Sequence, residues 1–509
     1  MITIAPKGNT APADVRLDGK TDMAVLAKYV TQAGADVKIL KGIVNLNGGG
    51  SGDPSGGGYL RPGKGATITG EPGTVLEARS SIVRLTLDKP GVTLRQLSFK
   101  GRGHIQWFDT GSGSLLEDVT VDQSDDNGNH IDLKGNCTAG FLFYAKVGKT
   151  LKNVTLRRCT ATKTYHHGFS MHVYGAQEGA TFSDFEFIGC KALSCGMHNR
   201  APRNGACGKV DLRNWAVGFN TADTGNVIRV HLTDCYAEDP VQSCYHCDGS
   251  WTGHAQKVDG LVYLRCTAVR AGARCHPDMV DKYRCGFYGM SGTYIDCEAV
   301  ECAIGFGHGC QLSGGLVVKG CKDTGSGYGM IAAYTEPGAR IEFTSVGATR
   351  QAFVGQVTGN GSLDLTLIDP PKNAITFGRT IRIPALDCPN HTDQASKYDK
   401  LPYTVNRSAI TINAAEKPAI EEWKTSTFKG VYQFLPLVVE EQPPAVPDTP
   451  EVPPIVLPPE PQPHLLSEDG CIKTVLPDGT KLMLVGGGFM DDDAAAYFPH
   501  GTIWRRVSE

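Results

Sequence analysis

Six side chains suited to moving protons fall within about a quarter of this chain: His166, His172, His246, Asp248, Arg284 and Tyr288. An imidazole can take or give a proton near neutral pH, and a phenol or carboxylate can do so when its surroundings tune it. A guanidinium offers a fixed fork that neutralises a carboxylate. Together they suit proton abstraction from a carbon beside a carboxylate, with Arg284 on the anion and His246 or Tyr288 as the base. Bond hydrolysis would instead make Asp248 the acid or base. His166, His172, Asn220 and Trp251 are the residues expected to hold the substrate.

Residues so far apart in sequence can share a site only if the fold stacks them. A short phrase recurs through the middle of the chain, in Arg158-Cys159-Thr160-Ala161, Gly189-Cys190-Lys191-Ala192, Asp234-Cys235-Tyr236-Ala237, Arg265-Cys266-Thr267-Ala268, Asp296-Cys297-Glu298-Ala299 and Gly320-Cys321-Lys322-Asp323. Its spacing, roughly 24 to 45 residues, is that of a stacked structural repeat. Each phrase follows a few residues of alternating apolar character, such as Val154 to Leu156 and Val230 to Leu232. Period two over so short a run indicates a strand. A second strand per unit carries a Gly-Phe pair, at Phe169, Phe219, Phe287 and Phe306. Short strands turned by Gly, Asn and Asp and repeated every coil predict an all-β, right-handed parallel β-helix. The cysteines should then form one buried internal row, as small side chains that stack well.

Aligned on the Gly-Phe pair, the outward row should hold Asp132, Ser170, Asn220, Ser250 and Tyr288. His130 and Asp248 would lie two residues earlier, and His166, His246 and Arg284 two before those. Equivalent residues of adjacent coils stand ~4.8 Å apart, so this face would present several polar groups to one ligand. Asp132 and Asp248, three coils apart at roughly 14 Å, exceed the ~5 to 9.5 Å of paired glycosidase carboxylates. Cys244-Tyr245-His246-Cys247 has zinc-like spacing without a second ligand pair, and no metal is assigned to it. Asp122, Asp125, Asp126, Asn127 and Asn129 make an acidic turn of a kind that can hold Ca²⁺ and is usually metal-free. No other cofactor is expected.

Near the start, Asp18-Gly19-Lys20-Thr21-Asp22 precedes a short amphipathic segment capped by Thr21 or Asp22 and ended by Gly34. Such a helix can cover the open end of a solenoid. This opening, followed by a strand at Val37 to Val44 and a Gly-rich stretch, resembles the pectate-lyase-like β-helix superfamily, which includes polysaccharide lyases, glycoside hydrolases, epimerases and phage tailspikes. The resemblance covers residues 15 to about 380 as architecture. It implies a tailspike- or tail-fibre-like protein that binds and depolymerises a bacterial surface polysaccharide, located in a virion tail or outside the cell. A homotrimer and other virion tail proteins are the partners it implies. A secreted lyase or epimerase and a non-catalytic receptor-binding spike are the alternatives. Gly307-His308-Gly309 and Asn220-Thr221 match only fragments of polygalacturonase motifs.

The expected layout is an N-terminal cap and Gly-rich loop over 1–60, coils over 61–385, a cap over 386–441, a Pro-rich linker over 442–463 and a small β module over 464–509. The module contains two strands about Pro477-Asp478-Gly479, and its size makes a partner or a second copy necessary for an adequate core. A net charge of −3 over 509 residues gives no electrostatic case for nucleic acid or an anionic membrane. No long apolar span occurs. The first residues lack the pattern of a secretory signal, in line with assembly in a virion. Among the 17 cysteines, Cys195 with Cys207, Cys275 with Cys285 and Cys302 with Cys310 are the pairs spaced to close loops, and sequence does not decide between thiol and disulfide.

Overall fold

A computed structural model describes residues 1–47, 58–131, 133, 139–172, 179–196, 203–204, 210–211, 216–222, 225–247, 257–274, 284–307, 315–332, 338–355, 361–377, 403–422 and 426–436, and four strands between 466 and 506. The chain divides into two compact units, Met1–Val438 and Val439–Glu509. The first is a right-handed parallel β-helix in which 34 of the described strands form one sheet, while Arg203–Asn204 and Val210–Asp211 pair antiparallel apart from it. In the second, Leu466–Glu468, Cys471–Val475, Lys481–Leu484 and Trp504–Arg506 pair antiparallel in that order. No helix among the described residues is long and apolar enough to cross a membrane.

The recurring cysteine phrase marks one corner of each coil. Thr160–Thr162, Lys191–Leu193, Tyr236–Glu238, Thr267–Val269 and Glu298–Val300 pair in parallel, and Ala161, Ala192, Ala237, Ala268 and Ala299 align and end on Asp323. Cys159, Cys190, Cys235, Cys266, Cys297 and Cys321 are buried, unoxidised and part of one core. The residue before each cysteine makes the corner alone. Arg158, Gly189, Asp234, Arg265, Asp296 and Gly320 all have φ between 50° and 61°, a left-handed conformation that costs non-glycine residues roughly 1–2 kcal/mol. Where arginine and aspartate fall on adjacent left-handed corners they hold each other: Arg158 Nε donates to Asp118 Oδ1 at 2.7 Å and Arg265 Nε to Asp234 Oδ1 at 2.7 Å. These pairs are exposed and contribute little each.

The Gly-Phe pair has a complementary cause. Phe141, Phe169, Phe219, Tyr245, Phe287 and Phe306 stack as one internal column with ring centroids 4.6 to 5.1 Å apart. The glycine before the aromatic faces the alanine row across the coil. A Cβ on Gly218 would stand 3.0 Å from the Ala237 Cβ and 2.6 Å from the Cys244 carbonyl oxygen. Alanine on one strand and glycine on the other let the two backbones approach.

The coils extend further than the cysteine phrase. Ile2–Ala5 already pairs in parallel with Asp36–Ile39, and that strand with Thr67–Gly70, so residues before 61 belong to the ladder. At the other end Tyr403–Ala414 pairs in parallel with Ser362–Ile368 and with Ser426–Pro436, where the repeat was expected to have stopped at 385. Both ends alternate apolar residues, such as Ile410 and Ile412, but lack cysteine and Gly-Phe markers.

The helix Asp22–Val30 buries Met23, Leu26 and Val30 in the same core as Ile4 and Val37. Thr21 is its N-cap residue but makes no side-chain cap, because its hydroxyl lies 3.2 Å from Asp18 Oδ2. The aspartates do the work: Asp18 Oδ1 accepts the Lys20 and Thr21 N–H groups, and buried Asp22 accepts those of Gly19 and Asn45.

Candidate functional site

Four consecutive coils bring Phe169–His172, Phe219–Ala222, Tyr245–Cys247 and Cys285–Tyr288 side by side. Because each strand turns its aromatic inward, the next residue faces out. Ser170 pairs with Asn220, Asn220 with His246 and His246 with Tyr288. Asn220, His246 and Tyr288 are thereby assembled into one continuous row, with Ser170 at its head.

This register corrects the sequence alignment at two coils. His246, not Ser250, takes the outward place between Asn220 and Tyr288, because Tyr245 fills the aromatic column where a Gly-Phe pair was sought. Leu142, not Asp132, precedes Ser170. The position four residues before each outward residue is held by His166, Ala216, Gln242 and Arg284, so Gln242 stands where His246 was expected. Arg284 is therefore about 13 Å along an extended strand from Tyr288. Asp132, Asp248, Ser250 and Trp251 lie outside the described residues. His172 closes its strand opposite Tyr144.

Within the row, Asn220 Nδ2 donates to Ser170 Oγ at 3.4 Å, and Asn220 Oδ1 is buried with no hydrogen-bond partner among the described residues. The His246 and Tyr288 rings are parallel, with centroids 4.5 Å apart. Asn220, His246 and Tyr288 are 3%, 3% and 5% exposed. Polar groups this dry hold fixed orientations and act strongly on any charge that develops beside them. Among the described residues the row holds no carboxylate. Its chemistry is that of an imidazole, a phenol, an amide and a hydroxyl.

The neighbouring row adds a histidine pair. His166 and His167 meet edge to face at 3.9 Å, and His167 Nδ1 accepts the Val217 N–H at 3.2 Å. Arg284 packs its stem where a Cβ on Gly272 would stand, 2.5 Å away. Gln242, which carries no signal in the sequence, is fully buried, and neither of its amide atoms has a hydrogen-bond partner among the described residues. Towards the N-terminus the outward row continues through Gln106 and Thr86, where Gln106 Nε2 donates to Thr86 Oγ1 at 2.9 Å. Burial there, with Arg84 nearby, pushes the His104 imidazole down to about 4, so it is neutral at pH 7.

Among the described residues no group of three or more His, Cys, Asp or Glu is arranged to hold a metal. In the acidic turn, Asp125 Oδ1 accepts the Asn127 and Asn129 N–H groups, an arrangement that orders the turn itself. Cys244 and Cys247 are buried thiols on the inner side of the strand that carries His246. Cys195, Cys285 and Cys302 are likewise buried thiols, while Cys207, Cys275 and Cys310 lie outside the described residues.

No protein-family model matches the sequence, and no curated protein matches it. Among solved structures the chain is similar to the A-module of mannuronan C-5 epimerase AlgE4 of Azotobacter vinelandii, at 14% identity and a TM-score of 0.30, over 82% of this chain and 92% of that one. The AlgE6 A-module of the same organism follows at 12% and 0.27, over 82% and 96%. The Siphovirus 9NA tailspike receptor binding domain is similar at 11% and 0.32, over 90% and 86%.

Proposed function

We propose that this protein is a tailspike-like β-helix that binds a bacterial surface polysaccharide along its outer face and depolymerises it by proton abstraction. The supporting observation is the in-register row Ser170, Asn220, His246 and Tyr288, with the imidazole stacked on the phenol. Side chains spaced by one coil can address one sugar ring, and a face of parallel strands suits an extended polymer. An imidazole or phenol placed as base suits elimination or epimerisation next to a uronate. Arg284, one strand length away, would attract the polymer's carboxylates rather than touch the reacting ring.

A second reading has its own support. The row is almost closed to solvent, which suits a structural polar ladder in a protein that binds polysaccharide without cleaving it. Incubation with a panel of acidic and neutral bacterial polysaccharides separates the two. Unsaturated sugar ends establish the lyase, altered uronate configuration without chain scission an epimerase, and new reducing ends without unsaturation a hydrolase. Binding without any product establishes the non-catalytic spike.

A further inference from the structure

Across the three coils that precede Ser170, the helix carries an open cavity of about 330 Å³ lined by Glu77, Arg79, Lys100, Arg102, Asp125, Asp126 and His130, together with Gly101, Ser124 and Ile131. The volume is at the lower end of the ~300–1,000 Å³ typical of small-molecule sites. It suits one saccharide unit rather than a length of chain. Glu77 and Lys100 are neighbours on adjacent coils, and Asp122 follows Lys100 on the next, so the cavity lies over the corner where the cysteine strand ends.

Its charges are not equally committed. Arg79 is held by two carboxylates, with Nε 2.7 Å from Glu77 Oε2 and Nη1 2.9 Å from Asp126 Oδ2. Its guanidinium is neutralised and fixes both acids at the cavity wall. Asp125 spends Oδ1 on the Asn127 and Asn129 N–H groups. Arg102 Nε donates to the Arg79 carbonyl at 3.1 Å. His130 Nε2 is taken by the Ser194 carbonyl at 2.7 Å and meets Arg274 Nη2 at 3.1 Å. Lys100 is partly buried and forms no ion pair or hydrogen bond with any described residue, so its ammonium is the uncommitted cation among the described side chains that line the cavity.

We infer that this cavity is a second carbohydrate subsite, which takes one anion-bearing saccharide unit with its anion against Lys100 and its hydroxyl groups donating to Glu77 and Asp126. The inference rests on the proposed polysaccharide function and adds the substrate class: an acidic polymer, gripped upstream of the row that contains His246. A cation facing an anion in a partly enclosed site is a charge-assisted contact. Its removal should cost about tenfold in affinity.

The test uses the full chain, titrated by calorimetry with oligogalacturonate and oligomannuronate, and with maltooligosaccharides of equal length as neutral comparators. The parent should bind an acidic oligomer in preference to the neutral one, and more weakly as salt screens the contact. Lys100→Ala should lower that affinity about tenfold with an unchanged melting temperature, and Lys100→Arg should restore most of it. Equal binding of neutral and acidic oligomers, unchanged affinity in Lys100→Ala, or no binding of either acidic oligomer overturns the subsite. If the parent still releases products from the polysaccharide panel while Lys100→Ala binds normally, only the subsite fails. If no polymer is bound or processed at all, the proposed function fails with it.

Discussion

Asp323 shows how much one residue can depart from its row. Five coils place alanine there, and the sixth places a fully buried carboxyl with Ser326 at the edge of hydrogen-bonding reach. Burial raises its pKa from the usual carboxylate range to about 8. A carboxyl whose folded pKa is raised binds its proton more tightly when folded, so stability is full below the unfolded value near 4. It falls as pH rises towards 8 and levels off beyond, by up to about 1.4 kcal/mol per pH unit. Asp323→Ala restores the row and should raise the melting temperature at pH 7.5 and flatten its dependence between pH 5 and 8. Thermal melts of parent and variant across that range check this. A variant less stable than the parent at pH 7.5 would show that the carboxyl is satisfied after all.

The elements explain what could be read beforehand. The buried cysteine row and the phenylalanine column were legible because coil after coil repeats the same packing problem with the same residues. The backbone reason for the glycine was not, since it depends on an alanine in the facing strand. Gly218→Ala should therefore destabilise by about 1–3 kcal/mol, measured by denaturant unfolding, whereas Gly34→Ala, with nothing within 4 Å of the added Cβ, should cost only the strain of its positive φ. Where one coil solved the problem differently, the alignment slipped. Cys244-Tyr245 stands in for Gly-Phe, and reading past it moved His246 out of the row in which the structure places it. The first and last coils were missed for the same reason, since alternation alone, without cysteine or Gly-Phe, fixes a strand but not its place in a stack. Asn220, His246 and Tyr288 stand out in the sequence by side-chain type, while Gln242 does not, because a lone glutamine carries no signal until its burial is known.

At the scale of the whole molecule, the coils form a unit that ends at Val438. A chain cut after that residue should keep the β-sheet signal in circular dichroism and the parent's activity on polysaccharide. A change in solution mass on light scattering would assign assembly to residues 439–509, and loss of the β-sheet signal would contradict independent folding of the first unit. The proposed function puts polymer processing on the row that crosses four coils. Its most direct test is product formation and polymer binding by the parent, His246→Ala and Tyr288→Phe, with melting temperatures measured on the same samples. Loss of the general base should lower turnover roughly 10²- to 10⁴-fold in at least one variant, with binding and melting temperature near those of the parent. Full turnover in both variants would contradict the account and place the chemistry elsewhere on the helix.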